Sequence, residues 1–258
     1  MKTDMPRPEG EPEVLHEGVI AGRNAVLEAL KGKAGLEKVY IAKGENQGSI
    51  LRIIALAREQ RIPITEADRL KLQAISGIST HQGVVAYLKQ VDYCEVSDIM
   101  AVAKERGEPA LIVVCDELVD PHNLGAVIRT AEAAGAHGII IPRHRGVGVT
   151  PAVTKAAAGA VFHMKIAKVT NLVRTLEELK EQGVWIYGTD MAGDRSIFDT
   201  DLAGPCALVV GSEGEGMSRL VRETCDFLIS IPMRGKVNSL NASVAAAIVL
   251  YEAVRGRR

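Results

Sequence analysis

Three segments concentrate side chains that can hold a ligand or carry charge. In Asp116–Gly135 (DELVDPHNLGAVIRTAEAAG), Asp120, Pro121 and Asn123 punctuate a turn and a helix is expected from Leu124. Arg129 then lies about one and a half turns in. Ala126, Ala131, Ala133 and Ala134 are small enough to let another backbone come close, although a capped surface helix with a solvated arginine explains the same letters. In Val210–Met217 (VGSEGEGM), three glycines spaced G-x-x-G-x-G follow an apolar run, and glycine frees a backbone for close contact with a ligand. An ordinary tight turn is the plain alternative. The spacing is not the G-x-G-x-x-G of dinucleotide binding, and no G-K-[ST] cradles a phosphate. In Ser230–Val244 (SIPMRGKVNSLNASV), Asn238, Ser239, Asn241 and Ser243 crowd the head of an almost wholly apolar run. One such residue suffices to cap a helix, so four exceed what capping requires.

These segments need a scaffold. Ligands of open α/β sheets bind beyond the carboxyl ends of the strands, and each segment follows a strand-like run. After Pro109, apolar strands are expected at Ala110–Cys115, Gly138–Ile141, Val184–Thr189, Ala207–Val210 and Phe227–Ile231. Helices are expected at Leu124–Ala134, Leu172–Gln182 and Asn241–Val254. Near-continuous apolar strands alternating with helices imply a parallel sheet covered on both faces. The helix from Asn241 is apolar all round and must be buried, with a second subunit as a natural cover. Upstream, Arg23–Leu30 and Ile50–Gln60 have helical spacing, while Val39–Ala42 and Gln82–Leu88 read as strands, so a small α/β domain precedes the larger one. The expected division is a disordered tail at 1–15, a small domain at 16–90, a charged linker at 91–107 that includes DYCEVSDIMAVAKERG and has room for a short helix, and the main domain at 108–258.

Composition narrows the possibilities. Of 258 residues, 47% are hydrophobic and 24% charged, which suits a core-forming protein of one large or two modest domains. Aromatic residues make up 3%, which argues against stacking single-stranded bases on aromatic platforms. The formal net charge of -1 gives no general basic character, so a nucleic-acid partner has to be argued from local sites. Cys94, Cys115, Cys206 and Cys225 form no C-x-x-C pair, and a reduced, cytoplasmic setting is expected. The N-terminal MKTDMPRPEGEPEV has no apolar signal core, and no apolar stretch reaches the roughly 20 residues of a membrane span. The histidines, His122 and His163 among them, show no metal-ligand spacing.

Read together, D-P-H-N-L-G-A-V-I-R-T-A, G-S-E-G-E-G-M and I-P-M-R-G-K-V-N-S-L-N-A-S-V-A-A-A resemble, in order and spacing, the three motifs of the TrmH/SpoU family of SPOUT RNA 2′-O-ribose methyltransferases. The resemblance covers about Leu111 to Glu252. G-R-N-A-V-L-E-A-L and T-H-Q-G-V-V-A are similar to the L30e-like substrate-binding domain attached in many members, and this two-domain layout is that of the RlmB-type enzymes acting on a guanosine of 23S ribosomal RNA. The resemblance implies a SPOUT-type α/β fold with a C-terminal trefoil knot, a homodimer, S-adenosyl-L-methionine as methyl donor, and neither metal nor membrane. By motif position it implies catalytic roles for Arg129, Asn123, Glu213, Ser239 and Asn241. Gly211, Ile231, Met233 and Leu240 would hold the cofactor. For RNA contact the basic triplet Arg143, His144 and Arg145 is expected, with Arg23 and His81 of the small domain as further candidates, and Arg255, Arg257 and Arg258 form a basic tail; each has a solvated surface charge as its alternative. Transfer RNA is the alternative substrate within the family. A nicotinamide-dependent oxidoreductase is disfavoured by the missing fingerprint, and a non-catalytic RNA-binding module by the intact Arg129, Ser239 and Asn241.

Overall fold

Five consecutive apolar residues, Leu111–Cys115 (LIVVC), are buried at every position. A strand buried on both faces needs a cover on each. Its side chains divide accordingly: Leu111, Val113 and Cys115 enter one apolar core, Ile112 and Val114 another. The computed structural model describes residues 15–16, 18–32, 35–89, 91–236 and 239–257. The expected tail up to residue 14, Asn238 and Arg258 lie outside the described residues.

The chain divides into two units, Met1–Gln90 and Val91–Arg258. The first runs β1 (Val19–Ala21), α1 (Arg23–Lys31), β2 (Leu36–Ala42), α2 (Ser49–Glu59), β3 (Ile64–Ala67), α3 (Arg69–Ser76) and β4 (Val84–Leu88). Its sheet has the order β1-β4-β2-β3, with β4 antiparallel to both neighbours and β2 parallel to β3. Val26 and Leu30 of α1 and Ile50 and Ile53 of α2 pack on one face with Val39, Ile41, Val84 and Ala86. Leu72 of α3 covers the other face beside Val19 and Val85. Between the two expected strands lie β3 and α3, which the periodicity did not show.

The second unit runs α4 (Val96–Arg106), β5 (Leu111–Cys115), α5 (Pro121–Ala133), β6 (Gly138–Pro142), α6 (Pro151–Ala156), β7 (Ile166–Val169), α7 (Leu172–Glu181), β8 (Trp185–Thr189), β9 (Arg195–Ser196), β10 (Cys206–Val210), α8 (Arg219–Thr224), β11 (Phe227–Ser230) and α9 (Ala242–Arg255). The strands form one parallel sheet in the order β7-β6-β5-β10-β8-β11-β9. The segment 91–107, expected as a linker, carries α4. Ile99 and Ala103 of that helix are buried in the core under β5, so this stretch belongs to the second unit. The start of α5 is also earlier than Leu124: Pro121 occupies its first turn, where a missing N–H costs nothing, and Asp120 accepts from the His122 N–H.

The strand order is what positions the site. Although β8 precedes β10 in the chain, β10 lies between β5 and β8. The loops after β5 and β10 are therefore neighbours, and the loop after β11 leaves the same edge. On that edge α5 packs closely on α6. A Cβ on Gly125 would lie 2.4 Å from the Ala156 Cβ and 2.8 Å from the Val153 carbonyl oxygen. The small residue that admits a neighbour is thus Gly125, beyond the alanines expected to do so.

Candidate functional site

α9 is capped by Asn241, and this amide is the centre of the carboxyl edge. Its Oδ1 accepts from the Ser243 N–H at 3.0 Å and the Ser243 hydroxyl at 2.6 Å. Those donors fix which end of the amide faces the helix. The Nδ2 group must then point away from the helix. It donates to Asn123 Oδ1 at 2.9 Å and to Glu213 Oε2 at 3.0 Å. One side chain thereby joins the loops after β5, β10 and β11. Asn123, in the first turn of α5, is buried, while Glu213 is exposed at the tip of the glycine loop.

That loop closes on itself. The Ser212 N–H donates to the Gly216 carbonyl at 2.9 Å, and the Gly216 N–H donates back at 3.1 Å. Gly214 (φ 94°) and Gly216 (φ 73°) occupy left-handed backbone that favours glycine. Gly211 faces this hairpin directly: a Cβ there would sit 2.2 Å from the Gly216 carbonyl carbon and 2.3 Å from the Met217 nitrogen.

A buried carboxylate anchors the same loop at its base. Asp116, 4% exposed, accepts from the Ser218 N–H at 2.7 Å through Oδ2, and its own N–H donates to the Val210 carbonyl at 2.8 Å. Both ends of the glycine loop are thus held by the residue that follows β5. Sequence reading passed over Asp116; the available signal was an acidic residue directly after five apolar ones.

Beyond β11, Ile231 and Leu240 are half-buried and Met233 is 40% exposed. Ser239 is exposed on the same segment. Among the described residues, the backbone groups of Ile231, Met233 and Leu240 have no hydrogen-bond partner. Arg129 stands outside the Asn241 cluster, exposed on α5, with no partner among the described residues.

A family model described as the SpoU rRNA methylase family matches residues 110–251, and one described as RNA 2′-O ribose methyltransferase substrate binding matches residues 19–94. The chain belongs to the SpoU/TrmH family of RNA methyltransferases. It is 50% identical over 243 residues to the Bacillus subtilis protein YacO, which is named as a TrmH family tRNA/rRNA methyltransferase, covering 94% of this chain and 96% of the relative. A Staphylococcus saprophyticus relative of the same name is 43% identical, covering 94% and 97%. Among solved structures, the SpoU methyltransferase AviRb of Streptomyces viridochromogenes, crystallised in complex with AdoMet, matches with TM-score 0.65 and 28% identity over 93% of this chain and 90% of that one.

In this SpoU/TrmH protein the expected RNA contacts fall into two groups. Arg143, His144 and Arg145 are exposed on the loop after β6, and Arg145 approaches Glu117 at 3.8 Å. In the first unit the expectation needs correcting. His81 is 3% exposed, and its Nδ1 accepts from the Gly83 N–H at 3.1 Å. It shapes the turn before β4 and presents no ring to solvent, because burial, to which sequence is blind, decides its role. Arg23 keeps a part-exposed side chain, which pairs with Glu45 at 2.7 Å and donates to the Gln82 carbonyl at 3.0 Å. Of the basic tail, Arg255 pairs with Glu252, and Arg257 is directed inward at backbone carbonyls.

No thiol competes for the chemistry. Burial pushes Cys115 and Cys225 up to about 12 and Cys206 to about 11, and raises Cys94 as well, so none is an appreciable thiolate near neutrality. Among the described residues no group of three or more His, Cys, Asp or Glu side chains converges as a metal site, and no helix is long and apolar enough to cross a membrane.

Proposed function

We propose that this protein transfers the methyl group of S-adenosyl-L-methionine to the ribose 2′-hydroxyl of a guanosine in 23S ribosomal RNA. The observation that carries this reading is the Asn241 amide, which gathers Asn123 and Glu213 at the carboxyl edge of the sheet. The AdoMet bound by AviRb supports the choice of donor. The residues here fit such a group: the segment through Ile231, Met233 and Leu240 offers unpaired backbone groups and apolar side chains, and Gly211 keeps the loop beside it free of a side chain. The donor, when bound, supplies a methyl on a sulfonium leaving group.

The remaining work is alignment and charge. Asn123, Ser239 and Asn241 position the ribose or Arg129, and Glu213, held by Asn241, orients Arg129. A guanidinium stays protonated, so Arg129 holds a phosphate and stabilises the developing alkoxide; the hydroxyl proton passes to water and not to Arg129. That its side chain pairs with no member of the cluster within one chain supports a role across a homodimer, where Arg129 of the partner subunit completes the site. α9 has an outer face suited to that contact, with Val244 46% and Tyr251 52% exposed. The non-sequential order β5-β10-β8, together with the convergence of the loops after β10 and β11, supports a trefoil-knotted chain. Four unpaired cysteines support a cytoplasmic setting.

Transfer RNA is the second reading. The Aquifex aeolicus TrmH/SpoU tRNA modifying enzyme matches 62% of this chain at 34% identity with TM-score 0.53. The description of the model over residues 110–251 as an rRNA methylase family supports ribosomal RNA. The test is incubation with radiolabelled S-adenosylmethionine and unmodified 23S RNA, 16S RNA or bulk transfer RNA, beside Arg129→Ala. Label in 23S RNA, recovered as an alkali-resistant dinucleotide and absent with the variant, is expected. Label only in transfer RNA would keep the chemistry and overturn the substrate.

A further inference from the structure

The loop between β6 and α6 is pinned at three points. The Arg143 N–H donates to the Val169 carbonyl at 2.7 Å and the Val147 N–H to the Leu118 carbonyl at 2.8 Å. The third point alone uses a side chain: the Val149 N–H donates to the hydroxyl of Tyr93 at 2.9 Å. Tyr93 is 41% exposed. The Lys168 ammonium lies 5.1 Å from its ring centroid, within cation–π reach. Gly148 sits against both, since a Cβ there would be 3.2 Å from Lys168 Nζ and 3.2 Å from the Tyr93 hydroxyl.

Charge at this corner is left uncompensated. Lys168 pairs in register with Ile141 on β6, one residue before Pro142 and two before Arg143. Among the described residues neither Lys168 nor Arg143 has a carboxylate partner, and Arg145 has only the 3.8 Å contact with Glu117. Glu117 (φ 56°) and Arg145 (φ 62°) both hold left-handed backbone that non-glycine residues seldom adopt. Such strain persists only where the surroundings impose it. Two cations on a braced loop and a third on the neighbouring β7, with one distant counter-charge, call for an anion from outside.

We infer that Lys168 contacts a phosphate of the RNA backbone beside Arg143 and Arg145, and that Tyr93 is a positioning residue, holding both the loop and the lysine in place for it. This rests on the RNA reading given above. Phosphate contacts fix register and orientation without reading bases, which suits a charged corner with a single ring.

The test measures filter binding of 23S RNA across a salt series, with kcat and KM for the RNA and calorimetric titration of S-adenosylmethionine. Lys168→Ala is expected to weaken RNA binding roughly tenfold at low salt and to lower the salt slope by about one. Lys168→Arg should restore both. Tyr93→Phe loses the acceptor and keeps the ring; it is expected to raise Kd and KM for RNA roughly fivefold, about the worth of one hydrogen bond, with kcat and donor affinity within twofold of the parent. Unchanged RNA binding in both variants would overturn the inference, and so would a kcat loss that follows a drop in thermal midpoint. Weakened binding by a parent that methylates no RNA would instead sink the functional reading and leave the surface standing.

Discussion

The two edges of the seven-stranded sheet handle polar groups in opposite ways. At the amino edge two side chains are fully engaged. Arg257 donates through Nη1 to the Pro109 carbonyl, through Nη2 to the carbonyls of Ala110 and Gly204, and through Nε to that of Leu202, tying the starts of β5 and β10 to the end of the chain. His137 spends both ring nitrogens, accepting from the Leu111 N–H at 2.9 Å and meeting Glu108 at 3.1 Å. At the carboxyl edge, Arg143, Lys168 and Ser239 keep unspent capacity among the described residues. A saturated charge staples a fold. An unsaturated one is held ready for something that arrives.

The largest effect expected from breaking this contrast comes from Gly211→Ala. The atoms it would strike are backbone, so the loop has to move, at a cost of about 3 kcal/mol. Calorimetry should show loss of S-adenosylmethionine binding, and the methylation assay should fall to background. Asn241→Asp comes next. It keeps the cap on α9 and turns the amide donor into an acceptor facing Glu213 and Asn123. Methylation is expected to drop by about 2 kcal/mol in kcat/KM, the worth of a hydrogen bond to a charged group, while thermal unfolding barely shifts; equal losses in both would mean the residue only caps.

At the opposite edge Arg257→Ala should reverse that pattern. Loss of its hydrogen bonds is expected to cost about 2 kcal/mol of stability, read in denaturant unfolding, with KM for RNA unchanged. A change in KM would show that the staple reaches the site. The smallest effect concerns pH. Desolvation by burial holds His137 below its ordinary 6.5, despite the opposing contact with Glu108. A depressed histidine pKa favours the neutral ring in the fold, so its contribution is present above about pH 6.5 and is lost as pH falls below that. Unfolding free energy should decline between pH 7 and 5, and the decline should be shallower in His137→Asn.

Much of the second unit could be read directly, because its strands are continuous apolar runs and its helices carry a clear period. Part of what was missed or only partly read has a common cause. β3 (ITEA) and β7 (IAKV) each mix polar with apolar residues, and α4 buries only Ile99 and Ala103 while carrying Lys104, Glu105 and Arg106 outward. A one-sided helix under a sheet edge looks, letter by letter, like a charged linker. In the site, Asn123, Glu213 and Asn241 were legible as types, and Asp116 was not, because its meaning depends on a glycine loop that meets it only in space. His81 failed for the complementary reason: a histidine in a turn looks available until its burial is known.

By itself, then, the sequence determined the local choices: where apolar runs make strands, where Asp120 and Asn241 begin helices, and where glycine permits a closed loop. Those choices depend on neighbours within a turn or two along the chain. The tertiary structure decided that Asn241 meets Asn123 across 118 positions, and that β10 enters between β5 and β8. No local pattern encodes that pairing. It depends on burying both faces of one parallel sheet at once, and the total of that packing selects the strand order and brings the three loops to a single edge.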